Sequence, residues 1–234
     1  MGKSLSQSVG KKDVDVTRVS GGEMELSLKQ ALGLIDKGVI LKSPPLFSPF
    51  VMYHYGDPRL WERIRCDIHW FMHVGPADKA ILISNKVKSL FKSFAISEPY
   101  QFYSSELRFK NELYDYSILQ LLNDWLINVD LVNSQYAIYR PATYPNVEIM
   151  PLETRVSSKE EFLRINSELI QNHKGRIRPT LLAFNQYSDL IRIAAGLEIS
   201  GLYISERLKN AFEEEQITGV EFKESEMIFE FKDH

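Results

Sequence analysis

Two imidazoles four residues apart, in the stretch His69-Trp70-Phe71-Met72-His73, are the first residues here whose types and spacing could do chemistry. On a helix that spacing brings both rings to one face, where they can share a zinc ion. Asp67, Glu62 and His54 are near enough in sequence to add ligands. A zinc protease needs a glutamate beside the first histidine, and Ile68 and Trp70 occupy those places. The simpler reading is two partly buried histidines near a helix C-terminus, where the helix dipole favours a cationic ring. We therefore expect no metal, no cofactor and no catalytic residue. The runner-up is an enzyme, metal-dependent through His69 and His73.

Other constellations are weaker. No nucleophile elbow, P-loop or glycine-rich dinucleotide fingerprint is present in the sequence. Lys174, Arg176 and Arg178 make a small basic turn that could meet phosphate, although short charge runs are usually solvated loops. Glu213, Glu214 and Glu215 sit in an expected helix, and Glu221, Glu224, Glu226 and Glu230 follow. Such a surface can steer a basic partner, so these three glutamates are the candidate partner-binding residues. The competing reading is a solvated helix face that aids solubility.

Composition narrows the classes. The net charge of −3 and pI of about 6.0 argue against a nucleic-acid binder, which normally carries a basic stripe. The single cysteine, Cys66, excludes an intrachain disulfide and fits a reducing compartment. No apolar run approaches the roughly 18 residues that span a bilayer, and the N-terminus lacks a secretory h-region. A cytoplasmic protein with no membrane partner is expected. Met1-Gly2-Lys3-Ser4-Leu5-Ser6 fits the N-myristoylation pattern, with a plain polar tail as the simpler reading.

The elements that would position these residues alternate in type. Residues 1–22 are polar and aperiodic, and are expected to form a flexible tail. A capping box at Ser27 opens a helix that Gly38 stops, and a proline-rich loop over 43–49 follows. Asp57-Pro58 signals a second helix running through Ile68 and Met72 to Gly75-Pro76. Short strands are expected at 80–83, 100–109, 130–139 and 147–150, then at 181–184, 190–193, 219–222 and 227–231. Residues 114–122 are ambiguous between helix and strand. Helices follow Ser84, Ser158 and Ser205.

Two of these helices have matching entries. Ile81-Leu82-Ile83-Ser84-Asn85-Lys86-Val87 and Leu202-Tyr203-Ile204-Ser205-Glu206-Arg207-Leu208 each give a strand, a serine and then apolar positions three and seven residues on. The serine hydroxyl can accept from a free N–H at the helix start, so Ser84 and Ser205 are predicted caps. The fold class is α+β, with mixed sheets and two strand-cap-helix modules. The loop Arg140-Pro141-Ala142-Thr143-Tyr144-Pro145 suggests halves at 23–142 and 143–234, the alternative being one continuous domain over 23–234.

The second module carries a resemblance. Leu202 to Lys209, followed by Ile217-Thr218-Gly219-Val220-Glu221-Phe222, resembles the closing signature of immunity protein eleven, a bacterial family of polymorphic-toxin systems formerly listed as a domain of unknown function. Residues 80–130 are similar to that family's middle region, through the first module, Tyr114 to Leu119 and Val129-Asp130. The resemblance spans roughly residues 80 to 223 and leaves 1–79 unaccounted for. It implies a cognate toxin as partner, neutralised by stoichiometric binding, and the absence of a catalytic motif leads us to expect no enzymatic activity. The signature itself holds no catalytic residue.

Overall fold

The structure, a computed structural model, describes residues 7–10, 28–53, 65–71, 80–109, 112–122, 128–141, 147–193, 201–225 and 227–232. Gly2, Ser27, His54, Glu62, His73 and the expected helix start at Asp57-Pro58 lie outside these. In chain order the elements are β1 (Gln7–Gly10), α1 (Leu28–Asp36), β2 (Phe47–Tyr53), β3 (Ile68–Phe71), β4 (Ala80–Ser84), α2 (Asn85–Phe91), β5 (Tyr100–Phe109) and β6 (Glu112–Leu121). Then come β7 (Gln135–Pro141), β8 (Val147–Pro151), α3 (Lys159–Gln171), β9 (Arg176–Phe184), β10 (Leu190–Ile193), β11 (Gly201–Ile204), α4 (Glu206–Glu214) and β12 (Ile228–Phe231). The fold is α+β with mixed sheets. The chain divides into two compact units: residues 1–122 with 204–222, and residues 123–203 with 223–234.

The first unit is built on a closed barrel of strand order β1-β2-β5-β6-β4-β3. Its longest ladder is the hairpin of β5 and β6, in register from Tyr100 opposite Leu121 to Phe109 opposite Glu112. Alternation then places Tyr103, Ser105 and Leu107, with Tyr116, Ile118 and Gln120, on one buried face. Phe47, Ala80 and Leu82 share that core with Ala31, Leu32 and Ile35 of α1 and with Leu41. Gly38, at φ 81°, ends α1: its N–H donates to Ile35 O while Val39 N–H donates to Leu34 O. That pair of bonds satisfies the last helical carbonyls and requires a residue tolerant of positive φ. On the opposite face of β4 and β6, Ile81, Ile83, Leu119 and Leu121 are also buried. Helix α2 packs there, and its Phe91 meets Phe212 of α4 with ring centroids 5.9 Å apart.

Several expectations are corrected in this unit. The polar tail contributes β1, antiparallel to β2 and parallel to β3. The proline-rich loop gives way to strand at Phe47, and Pro49 sits where the β2–β5 register shifts, the place in a ladder that tolerates a missing N–H. Residues 68–71 form β3, antiparallel to β4, where a helix was expected. Ile68 and His69 point to opposite faces and are both buried. A run buried on both sides has no period to separate strand from helix. Residues 219–222, expected as a strand, are irregular.

The second unit centres on the sheet β12-β9-β7-β8, with β10 and β11 paired separately. Ser158 caps α3, accepting from Glu161 N–H, and Glu161 reaches back to Ser157 N–H. Phe162, Ile165 and Leu169 of α3 pack with Ile177, Leu182 and Phe184 of β9. The boundary expected near 142 falls inside this unit, because β7 and β8 pair across it as a hairpin. The loop's prolines and tyrosine mark a strand connection there, which local composition does not distinguish from a linker. The basic turn is likewise shorter than expected: Arg176 and Arg178 already belong to β9.

Candidate functional site

The densest polar arrangement in the first unit is a clamp around Asp67. Ser84 ends β4 and caps α2, its hydroxyl accepting from Val87 N–H at 3.4 Å. The same hydroxyl donates to Asp67 Oδ1 at 2.9 Å. Thr218 donates to Asp67 Oδ2 twice, from its N–H at 3.0 Å and its hydroxyl at 2.8 Å. Thr218 Oγ1 in turn accepts from Asp67 N–H at 3.0 Å, and Thr218 O accepts from Ile68 N–H at 3.1 Å. Gly219 follows at φ 92°, where a Cβ would lie 2.2 Å from Ile68 O. The clamp thus fastens the loop after α4 to the start of β3 and the end of β4. Burial tends to raise the Asp67 carboxyl, but the bonds from Thr218 and Ser84 outweigh it and hold the group below its ordinary value. A depressed carboxylate is a poor general base, and Ser84 is committed on both sides. The clamp holds structure and does not activate a nucleophile.

Ser205 caps α4 in the same manner, accepting from Leu208 N–H at 3.1 Å. Leu208 and Phe212, the positions three and seven residues on, are both buried. Beside this entry, Arg207 lies over the Phe94 ring at 4.6 Å. The two modules therefore bring α2 and α4 together.

His69 is fully buried in β3, opposite Leu82, with its ring 5.8 Å from that of Tyr116. Burial drives its pKa down to about 4, against a partial rise from a hydrogen bond to the Cys66 backbone. Extended backbone at 68–71 removes the helical spacing on which a shared ion with His73 depended. Among the described residues no group of three His, Cys, Asp or Glu side chains could hold a metal ion.

A second buried network was not anticipated. Tyr103 hydroxyl donates to Gln120 Oε1 at 2.7 Å and accepts from Leu41 N–H at 3.0 Å. Gln120 Nε2 donates to Ile35 O and Val39 O, at 2.9 and 3.1 Å. This ties the end of α1 into the barrel interior. The only sequence hint is a glutamine inside the apolar run Ile118-Leu119-Gln120-Leu121. In the second unit Lys232 Nζ meets Asp130 Oδ2 at 2.8 Å and Asn185 Oδ1 at 2.9 Å, joining residues far apart in sequence.

The glutamates proposed for partner binding are exposed, but two are occupied locally. Glu213 pairs with Lys209 at 3.9 Å, and Glu215 with Lys86 at 3.7 Å. Lys86 also donates to Glu215 O. Their charge is partly compensated within the helix pair. No helix among the described residues is long and apolar enough to cross a membrane. No family model matches the sequence, and no curated protein matches it either.

Proposed function

We propose that this protein is a cytoplasmic immunity protein that binds one cognate bacterial toxin in a stoichiometric complex and has no turnover of its own. The reading rests on the resemblance over residues 202–222, and one observation gives that resemblance weight. Its residues sit where geometry restricts identity: Ser205 caps α4, Leu208 and Phe212 are buried, Thr218 holds Asp67, and Gly219 takes a positive φ against Ile68 O. Likeness at such positions speaks to a shared scaffold rather than to shared surface composition. The metal-dependent alternative loses support with His69 in a strand and no group of three or more ligating side chains among the described residues.

The test is protection. The chain is expressed alongside the toxin encoded next to its own gene, and cell survival and complex stoichiometry are measured. Survival with a one-to-one complex is expected. A chain that neither binds nor protects against any toxin of its gene neighbourhood would refute the reading.

A further inference from the structure

We infer that this chain forms a weak two-fold dimer through the outer face of α3, the two copies of the helix packing antiparallel beside Ser167. The inference goes beyond the immunity reading and does not depend on it. Helix α3 turns Phe162, Ile165 and Leu169 into the core of the second unit. Leu163 and Ile170 lie seven residues apart, and therefore on one helical face, away from that core. They are 47% and 46% exposed, on a helix whose other apolar side chains are buried. Ser167 lies between them and is exposed as well. Two aliphatic side chains flanking a small polar one make a strip that a second helix can approach closely.

The charges decide what covers the strip. Glu160 is exposed in the first turn of α3. Lys174 is exposed at the opposite end, held there by its N–H, which donates to Leu169 O at 2.8 Å. Among the described residues neither meets an opposite charge. Arg164, by contrast, is already occupied by Glu161 and Glu168, at 4.0 and 2.7 Å. From one end to the other the face runs acid, aliphatic, serine, aliphatic, base. Reversed, that order is complementary to itself. A two-fold axis between Asn166 and Ser167 sets Leu163 against Ile170 of the second copy, each about 5 Å from the axis along the helix. It also brings Glu160 near Lys174 of the second copy, and the acidic first turn of each helix near the carbonyl end of the other. A parallel pairing would set like charges together. An unrelated helix would match this order only by coincidence, whereas a second copy carries it. Four half-exposed aliphatic side chains cover little area, so association is expected at roughly micromolar concentration or above.

Sedimentation velocity of the full chain, from about 1 μM to about 1 mM, reads the equilibrium. A reversible shift from monomer to dimer is expected. Leu163→Asp combined with Ile170→Asp should abolish it. Both side chains are exposed, so the amide spectrum of that variant should keep its dispersion. Glu160→Lys alone and Lys174→Glu alone should each weaken the dimer about fivefold, because each change disrupts two surface pairs at once. The double reversal should restore it to within about twofold of wild type. In a Cys66→Ser background, Ser167→Cys should give a disulfide-linked dimer on oxidation, because residue 167 lies beside the axis. Leu163→Cys, about 10 Å along the helix from its own counterpart, should not. A chain that stays monomeric throughout, a dimer indifferent to the two aspartates, or a double reversal no tighter than the single ones would each overturn the inference. So would a monomeric chain whose toxin complex is lost with the aspartates, which would assign the face to the toxin. The protection assay is scored separately, so failure of the dimer leaves the immunity reading standing.

Discussion

At the scale of single residues, His69 offers the sharpest prediction. Its ring is neutral in the folded chain down to about pH 4, while in the unfolded chain it takes a proton near 6.5. A depressed folded pKa means that its contribution to stability is complete above pH 6.5 and is lost as the pH falls towards 4. The loss is roughly 3 kcal/mol, at about 1.4 kcal/mol per pH unit of difference. Urea midpoints for wild type and His69→Gln, each at pH 7.5 and 4.5, isolate this group from the carboxylates common to both. The wild type should lose more stability over that interval, and equal losses would refute the assignment. Ser205→Ala is a smaller test of the same kind. Removing the hydroxyl that accepts from Leu208 N–H should cost about 1 kcal/mol in unfolding free energy. Both serine caps were legible in the sequence because a cap is a local pattern. The segment holding His69 was misread as helix because its place in a barrel depends on pairing with other strands, β4 on one side and the distant β1 on the other.

At the scale of elements, the clamp between the loop after α4 and the β3–β4 corner explains why residues 218 and 219 have the identities they do. Glycine at 219 turns the chain after α4 with a positive φ. The structure adds a second reason, the approach of Ile68 O and of Cys66 Cβ, which an added Cβ would meet at 2.2 and 2.8 Å. Gly219→Ala should therefore destabilise by about 3 kcal/mol or more, since it combines a positive φ of 92° with a backbone clash. Thermal unfolding followed by tryptophan fluorescence checks this. A loss below about 1 kcal/mol would mean the loop yields freely and the clamp is weak. Asp67 and Thr218 are 151 residues apart, so no reading of local spacing could have paired them. The hairpin of β5 and β6 was half legible: Tyr100 to Phe109 alternates, whereas Tyr114 to Leu122 is apolar enough to suit either helix or strand. Its ladder partners, β4 on one side and β5 on the other, decide the matter.

At the scale of the whole molecule, the chain does not divide in half. A boundary near 142 looked natural because prolines cluster there, yet β7 and β8 close that loop as a hairpin of the second unit. The first unit instead recovers a distant piece, residues 204–222, after the chain has completed most of the second. That piece brings Leu208 and Phe212, both buried, and the Thr218–Gly219 clamp. A chain truncated after residue 142 would keep the barrel strands but expose Phe91, which is buried and packed at a tilt against Phe212 in the full chain. Losing a buried phenylalanine's partner and Leu208 together removes several kcal/mol, by comparison with the 3–5 kcal/mol typical of Phe→Ala in a core. A domain's net stability is only about 5–15 kcal/mol, so residues 1–142 alone should be largely unfolded or aggregated. Residues 1–122 joined through a flexible linker to 204–222 should do better, with a cooperative melt and dispersed amide shifts. Comparing the two chains by calorimetry and amide spectra tests the division directly. If residues 1–142 fold as cooperatively as the joined chain, then α4 and the clamp are accessories, and the resemblance carried by 202–222 marks a surface feature instead of the scaffold's closing element.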